Sequence, residues 1–313
     1  MRRLVKILLR TIILFFILIN VVLAFHAYKF THYYDAIGVT EKNPAEKTKW
    51  ELTKDIVLGI NAYKNPNKNV ADTSFEEVQL FTKDKIQLKG WYIKTNAAPK
   101  GTVLLFHGHH SNRSGVLYEA EMFRQLGYNT MLIDFRAHGN SDGNTCTIGY
   151  REAEDVKLAY DFIKAKDEKN IILWGISMGA AAITKAVSDY QLTPSKIILE
   201  MPFGTLVEAA EGKLRMMHLP PEPASTLLIF WGGVENGFWA FNMKPAEFAK
   251  KITSPVLLQF GKNDLRVTRN EINDIYNNIT APKKLVVYEN SGHESLCEKE
   301  NSKWRSEVNS FLQ

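Results

Sequence analysis

The stretch that decides the fold is GISMG, Gly175–Gly179, because of the segments on either side of it. Residues Asn170–Trp174 precede it as a short apolar run, which is typical of a buried parallel strand. Residues Ala180–Val187 follow it and are small and compatible with a helix. A G-x-S-x-G sequence between a strand and a helix predicts a nucleophile elbow, a strained turn that exposes the hydroxyl of Ser177.

Strands and helices alternate along the chain from Gly101 onward. Two β-rich runs come before that point, Phe75–Phe81 and Ile86–Ile93, and a short polar turn between them predicts an antiparallel hairpin. The pattern predicts an α/β fold of the α/β-hydrolase type, with a mostly parallel central sheet and helices on both faces. The predicted strands are Thr102–His107, Thr130–Asp134, Asn170–Trp174, Lys196–Glu200, Pro255–Phe260 and Lys284–Tyr288. The predicted helices are Tyr118–Gln125, Arg151–Ala165, Met178–Tyr190, Asn270–Ile279 and Lys303–Leu312.

The interval Met201–Ile252 interrupts this alternation. It contains no clear strand, but it is rich in Leu, Met, Phe and Trp and is broken by Pro220, Pro221 and Pro223. Because long insertions usually serve a function, we expect a helical cap at about residues 202–250, over the strand ends, that forms an apolar wall of a substrate pocket. Ordinary packing on the edge of the sheet is the alternative.

The amino terminus carries a second strong signal. Residues Thr11–Tyr28 are uncharged and mostly apolar, and a helix of this length spans about 27 Å, close to the hydrocarbon thickness of a bilayer. Basic residues precede the stretch, so the positive-inside rule predicts a cytoplasmic amino terminus and an extracytoplasmic catalytic domain. The alternative is a cleaved signal peptide with a site at Val22–Ala24, which would make the protein secreted. The basic residues are Arg2, Arg3, Lys6 and Arg10.

These patterns predict three parts in the chain. Residues 1–28 form a single-pass membrane anchor, residues 29–73 a partly helical juxtamembrane linker, and residues 74–313 the α/β domain with its cap. The net charge is +5, and the four basic residues at the amino terminus leave only +1 for the remainder. Because no basic stripe interleaved with aromatic residues is present, the sequence gives no argument for a nucleic-acid partner.

A serine hydroxyl becomes a nucleophile only with a histidine base and a carboxylate that orients the histidine. In the chain order Ser, Asp, His, the acid follows a late strand and the histidine follows the next strand. Asp264 and His293 occupy these two places, and Gly292 allows the second loop to swing towards Ser177. We therefore predict Ser177 as the nucleophile, His293 as the base and Asp264 as the orienting acid. Glu200 and Asp134, which also end strands, remain competing candidates for the acid.

The oxyanion formed during attack on a carbonyl requires preorganised N–H donors. We predict the backbone amides of Met178, at the start of the helix after Ser177, and of His109, in the loop His107–His110. The histidines of this loop also suggest a metal site, but no carboxylate cluster accompanies them. We expect neither a metal nor a cofactor.

The two cysteines, Cys146 and Cys297, exclude a disulfide-rich scaffold and lack the spacing of a zinc site. In an extracytoplasmic domain they could form one disulfide. Two free buried thiols are the alternative, and the sequence leaves both open.

Residues 74–313 resemble the α/β-hydrolase superfamily of serine hydrolases. The segment DFRAHGNS, Asp134–Ser141, is similar to the D-x-R-G-x-G-x-S stretch of monoglyceride-lipase-like and S33-type members, except that Ala137-His138 replaces the first glycine region. An anchor before such a domain is similar to the membrane-bound Bem46-like hydrolases. The other motifs are His107-Gly108, Gly175–Gly179, Gly261–Asp264 and Ser291–His293.

The resemblance implies an esterase, lipase, thioesterase or peptidase that works without a cofactor. We expect a serine hydrolase that forms an acyl-enzyme and cleaves a carboxylic ester, or a thioester, of a small, partly apolar molecule. A peptidase or amidase is the first alternative, and an acidic cap residue that captures a free amine would favour it. A hydrolase-fold protein that binds without turnover is the second. The acidic cap residues are Glu208, Glu211, Glu222 and Glu235.

Overall fold

The structure is a computed structural model and describes residues 2–35, 48–96 and 98–313. The strands are β1 (Tyr33–Tyr34), β2 (Ala62–Tyr63), β3 (Glu76–Phe81), β4 (Gln87–Ile93), β5 (Thr102–Phe106), β6 (Asn129–Ile133), β7 (Ile171–Ile176), β8 (Lys196–Glu200), β9 (Val256–Gly261) and β10 (Lys283–Tyr288). The α-helices are α1 (Arg2–Thr31), α2 (Lys49–Leu58), α3 (Leu117–Gln125), α4 (Glu152–Lys164), α5 (Met178–Tyr190), α6 (Leu206–Met216), α7 (Ala224–Asn236), α8 (Pro245–Phe248), α9 (Arg269–Asn278), α10 (Leu296–Lys299) and α11 (Asn301–Leu312). Short 3-10 helices lie at Arg113–Val116, Ala240–Asn242 and Ala249–Lys251.

An eight-stranded sheet forms the centre of the molecule, in the order β10-β9-β8-β7-β5-β6-β4-β3. The strands from β10 to β6 are parallel, whereas β4 is antiparallel to both β6 and β3. The predicted fold class is therefore confirmed. All predicted strands and helices are present, with ends within two residues of the prediction. In β5 and β6 every residue is buried, as expected for continuous apolar strands between two layers of helices.

Helix α1 is long and apolar enough to cross a membrane, and none of its most apolar window is buried against the rest of the protein. It continues to Thr31, past residue 28. The chain after it joins the domain directly, because the Tyr33 amide donates to the Asn144 carbonyl (2.7 Å) and the Cys146 amide to the Thr31 carbonyl (2.8 Å). Strand β1 then pairs in parallel with β2.

Of the predicted linker, residues 36–47 lie outside the described residues. Helix α2 follows them and begins with a capping box between Thr48 and Glu51. Before this gap, residues Thr31–Tyr34 are hydrogen-bonded to the domain and to β2. After it, the chain is helical in α2.

The insertion after β8 contains α6, α7 and α8, and it contacts both the loop after β9 and helix α1. Helix α6 lies against the loop after β9, since a Cβ added at Gly212 would clash with the Arg266 carbonyl. Helix α7 packs along α1, where the Trp231 Nε1 donates to Asn20 Oδ1 (3.1 Å). We call the segment Thr205–Lys251 the cap.

Cys146 and Cys297 are both buried and free. The Cys146 sulfur lies 3.6 Å from the Met178 sulfur. The Cys297 carbonyl accepts a hydrogen bond from Asn301 Nδ2 (3.2 Å). Of the two states left open by the sequence, the structure has the free thiols.

Candidate active site

Ser177 stands at the sharp turn between β7 and α5. Its φ of 53° and ψ of −116° are strained for a residue with a side chain, and they lift the hydroxyl above the strand ends. The two glycines of the motif allow this turn. A Cβ at Gly179 would clash with the Phe106 carbonyl oxygen, and one at Gly175 would lie 2.7 Å from the Gly179 backbone. Close packing of α5 on β5 therefore requires glycine here.

The three residues predicted to act together lie within hydrogen-bonding distance of one another. His293 Nε2 is 3.0 Å from Ser177 Oγ, and His293 Nδ1 is 2.7 Å from Asp264 Oδ2. The Asp264 side chain is 0% exposed and that of His293 10% exposed. Because a carboxylate only accepts hydrogen bonds, Nδ1 carries the proton and Nε2 is free to accept from the serine hydroxyl.

Two loops at the carboxyl ends of β9 and β10 position the acid and the histidine. The other carboxylate oxygen of Asp264 accepts the amides of Arg266 (2.7 Å) and Val267 (2.9 Å), which fixes Oδ2 towards the histidine. The loops are joined directly, since the Asn263 amide donates to the Ser291 carbonyl (2.9 Å). Asp264 and His293 therefore lie close together because they follow the adjacent, parallel strands β9 and β10.

The two competing acids are held elsewhere. Glu200 Oε1 accepts from the indole N–H groups of Trp174 (2.9 Å) and Trp304 (2.6 Å), beneath the sheet ends. Burial raises the pKa of Glu200 to about 8. Asp134 accepts the backbone amides of Arg113 (2.7 Å) and Asn140 (2.9 Å). Glu200 Oε2 is buried without a partner among the described residues, and neither carboxylate contacts His293, whose Nδ1 faces Asp264.

The backbone amides predicted to form the oxyanion hole lie on two elements next to Ser177. Met178 is the first residue of α5, where amides have no acceptor within the helix. His109 lies in the loop after β5, whose start is fixed by His107. The His107 Nε2 accepts the Phe135 amide (3.1 Å), and Nδ1 donates to the Gly108 carbonyl (2.8 Å). Burial lowers the pKa of His107 to about 4, so this imidazole is neutral.

Tyr33 is a site residue that the sequence reasoning missed. Its hydroxyl donates to His109 Nε2 at 2.6 Å, and the ring of Phe30 lies 4.7 Å from the His109 ring. Burial lowers the pKa of His109 well below its usual value, so its Nε2 is an acceptor. The segment that follows α1 therefore holds the loop of the predicted oxyanion hole. No local pattern could have found this contact, because it joins residues 76 positions apart.

The comparisons with known proteins agree with this fold. The crystal structure of a Pyrococcus furiosus esterase, Pf2001, superposes with a TM-score of 0.64 over 92% of this chain and 98% of its own, at 23% identity. The family model described as serine aminopeptidase, S33, matches residues 97–226. The chain therefore has the α/β-hydrolase fold.

Two curated relatives differ in how much of this chain they match. The Bacillus subtilis protein YqkD is 28% identical over 229 residues, which cover 72% of this chain and 75% of YqkD. The zebrafish lysophosphatidylserine lipase ABHD12 is 29% identical over 128 residues, 39% of this chain and 33% of its own. The match to YqkD is thus the broader of the two.

The histidines around the predicted oxyanion loop form a neutral cluster, in which His107 and His138 are buried and His109 and His110 half-buried. Burial lowers the pKa of His110 to about 4 and that of His138 to about 3. In the described ranges, no group of three or more His, Cys, Asp or Glu residues has the arrangement of a metal site. The rings instead pack on one another and on Tyr33, at centroid distances from 4.7 to 6.2 Å.

The segment DFRAHGNS, Asp134–Ser141, forms a loop held by its own side chains. Arg136 forms a buried ion pair with Asp155 (2.5 Å), and Ser141 Oγ donates to the Asp134 carbonyl (2.6 Å). Ala137, which replaces the usual glycine, has a φ of 64°. The turn therefore keeps the left-handed conformation that glycine favours, in spite of the side chain.

Proposed function

We propose that the protein is a membrane-anchored serine hydrolase that cleaves carboxylic esters, or thioesters, through an acyl-enzyme. One observation carries the proposal, namely the hydrogen-bonded series Ser177 Oγ, His293 Nε2, His293 Nδ1 and Asp264 Oδ2, with distances of 3.0 and 2.7 Å. This arrangement can activate a serine, and in this chain the serine stands on a strained, accessible turn.

Each residue then has one role. His293 Nε2 takes the hydroxyl proton as Ser177 Oγ attacks the carbonyl carbon, and the amides of His109 and Met178 donate to the oxyanion. His293 returns the proton to the leaving alcohol or thiol, which departs and leaves the acyl group on Ser177. Water, deprotonated by His293, then attacks the acyl carbon, and the bond to Ser177 Oγ breaks as His293 returns the proton to Oγ and the carboxylic acid is released. Asp264 keeps the imidazole in the required tautomer and stabilises its positive charge.

Several findings support an ester substrate with apolar character. The superposable Pf2001 protein is an esterase, and ABHD12 is a lysophosphatidylserine lipase. The cap is rich in apolar residues, and many of them are partly exposed. Helix α1 supports attachment to a membrane, with the amino terminus on the cytoplasmic side because Arg2, Arg3, Lys6 and Arg10 precede the apolar stretch.

A peptidase is the second candidate, favoured by the description of the family model. Capture of a substrate amine requires an ionised carboxylate without another partner. Glu211 is paired with Arg215 (3.5 Å), and Glu222 accepts from the Ser225 hydroxyl (2.7 Å). One oxygen of Glu235 is buried without a partner in the described chain, but burial raises its pKa to about 7. These acids give a free amine only a weak site, so we favour the ester.

The test uses full-length protein in detergent with p-nitrophenyl esters from acetyl to palmitoyl and aminoacyl p-nitroanilides as peptidase substrates. We expect Ser177→Ala to lower ester turnover at least about 10⁴-fold, since the nucleophile is lost. The matched control is Ser188→Ala, which removes a buried hydroxyl without a partner from the same helix and should leave turnover unchanged. Anilide cleavage without ester cleavage would favour the peptidase, and turnover that survives in Ser177→Ala would refute the proposed nucleophile.

A further inference from the structure

Helices α1 and α7 lie side by side over much of their length. Ala224, the first residue of α7, and Pro223 before it line a groove with Leu18, Ile19, Val22 and Leu23 of α1. Trp231, one helical repeat further along α7, donates to Asn20 at the same level of α1. At the other end of α7, Asn236 Nδ2 donates to Thr31 Oγ1 (3.3 Å). Helix α7 therefore contacts α1 near its middle and again at its carboxyl end.

The charges at the ends of the apolar stretch of α1 set its depth in a bilayer. The stretch is flanked by Arg10 and Lys29, and Asn20 lies ten residues after the first and nine before the second. At about 1.5 Å per residue, Asn20 is about 14 Å from each flanking charge. Because the hydrocarbon core is about 30 Å thick, Asn20 is placed near its middle.

A polar side chain at this depth requires a partner within the protein, because lipid offers none. The Asn20 amide group donates to the Phe16 carbonyl (2.9 Å), and its oxygen accepts from Trp231 of the cap (3.1 Å). The partner of Asn20 thus comes from α7, which places this part of α7 at the same depth.

The outer face of α7 has the composition that such a depth demands. No residue from Ala224 to Val234 is charged. Phe230 is 36% exposed and Val234 54% exposed on one stripe, and Trp239 beyond the helix is 57% exposed. Phe230 and Trp239 line an apolar groove together with Phe16 and Asn20 of α1. The exposed faces of the two helices are therefore continuous.

We propose that α7 is inserted into the extracytoplasmic leaflet beside α1, and that acyl chains of this leaflet cover the stripe Phe230, Val234 and Trp239. This inference rests on the membrane anchorage proposed above. It makes the cap a second membrane-embedded element.

Two acids flank the uncharged part of α7, Glu235 after Val234 and Glu222 before the helix. Burial raises the pKa of Glu235 to about 7, which favours its neutral form near lipid. Glu222 comes just before α7 and is exposed. Its carboxylate accepts from the hydroxyls of Ser225 (2.7 Å) and Thr226 (2.9 Å) at the start of the helix. These bonds, together with the positive end of the helix dipole, reduce the cost of a carboxylate near lipid.

The test measures the depth of single cysteines in the full chain, reconstituted in proteoliposomes at less than one copy per vesicle. The buried Cys146 and Cys297 stay unlabelled. An environment-sensitive NBD label is placed at Phe230→Cys, with Leu14→Cys on the exposed face of α1 as the positive control. Lys169→Cys is the matched negative control, because it is highly exposed and precedes β7, at the end of the sheet opposite Ser177. The probe of depth is phosphatidylcholine brominated on its acyl chains.

We expect brominated lipid to quench the label at Phe230→Cys as strongly as that at Leu14→Cys and to leave Lys169→Cys unchanged. Quenching at Leu14→Cys without quenching at Phe230→Cys would overturn the inference alone. In that case, a loss of NBD emission at Phe230→Cys that depends on protein density would assign the stripe to a second copy of the chain. Absence of quenching at Leu14→Cys would overturn the anchorage, and the inference with it.

Discussion

Tyr33 and Glu200 are two residues outside the predicted triad that contact other parts of the proposed site. Tyr33 contacts His109 of the predicted oxyanion loop, and Glu200 ends the strand next to that of Ser177 and accepts the Ser177 amide through its carbonyl (2.8 Å). Each can be changed by a nearly isosteric substitution. Their contributions can therefore be measured separately from those of the triad.

Tyr33→Phe removes the hydroxyl that holds His109 and keeps the ring. We expect kcat to fall roughly tenfold with little change in KM, because a small displacement of an oxyanion donor weakens binding of the transition state more than that of the ester. Steady-state kinetics with p-nitrophenyl butyrate measure this effect. Tyr34→Phe is the control, since the Tyr34 hydroxyl contacts Lys29 at the surface. Equal kinetics for the two variants would argue against a positioning role for Tyr33.

Glu200→Gln tests the buried carboxyl group. The pKa of Glu200 is raised to about 8 by burial, so the folded state binds a proton that the unfolded state loses at lower pH. The stabilisation that comes from the protonated Glu200 carboxyl is complete below the pKa that this group has in the unfolded chain. It is lost as the pH rises through the pKa that the group has in the folded protein. We expect the free energy of unfolding to fall between about pH 5 and about pH 9, and to fall less steeply in Glu200→Gln.

Urea denaturation at a series of pH values measures the slope of the free energy of unfolding against pH. Glu298→Gln, at an exposed position, is the control. Part of the slope should survive in Glu200→Gln, because burial also raises the pKa of Glu119 to about 7. Parallel slopes for the wild type and Glu200→Gln would show that Glu200 titrates in the same way in both states.

At the scale of elements, the strands and helices of the central domain follow from local patterns. Apolar runs of five or six residues became β5 to β10, and the helical spacing of Val156, Ala159, Tyr160 and Ile163 became the buried face of α4. The proximity of Asp264 and His293 to Ser177 could be predicted because it depends on which strand each residue follows. These features depend on short sequence windows and on the order of elements.

The contacts that the sequence did not reveal are all tertiary. Strands β1 and β2 have two residues each, and they exist because the chain after α1 lies beside the segment before β3. The pairing of α1 with α7 likewise joins residues 211 positions apart, as for Asn20 and Trp231. No periodicity within either helix specifies its partner, because an apolar face can pack on protein or face lipid.

Removal of amino-terminal elements tests how far the domain depends on them. A chain that begins at Phe25, just past the site predicted for signal peptidase, keeps Tyr33 and its contacts. A chain that begins at Asp35 loses them, together with the pairing of Thr31 and Tyr33 with the loop at residues 144–146. We expect kcat/KM for p-nitrophenyl butyrate in detergent to fall at least about tenfold from the first chain to the second, since the loop of His109 loses its support.

The thermal midpoint should fall in the same order, because β1 and its hydrogen bonds disappear. Differential scanning calorimetry provides this measurement. Equal activity and stability of the two truncated chains would mean that the segment Phe30–Tyr33 has no influence on the site.

At the scale of the whole molecule, the proposed orientation makes a simple prediction for intact cells. Lys169→Cys should react with a membrane-impermeant maleimide added outside, and Arg3→Cys should react only after the membrane is permeabilised, because the basic residues keep the amino terminus inside. The two native cysteines are buried and should contribute little background. The opposite pattern of labelling would place the α/β domain in the cytoplasm.

The contact between Tyr33 and His109 has a consequence for transplanting this domain. A membrane helix usually serves as a replaceable tether, so a foreign one should be acceptable in its place. Here the end of the membrane helix contacts the proposed site, because Phe30 in the last turn of α1 and Tyr33 after it both pack on His109. A chimaera joined before Ala27 would keep these contacts. One joined after Tyr34 would carry every member of the triad and still lack part of its scaffold.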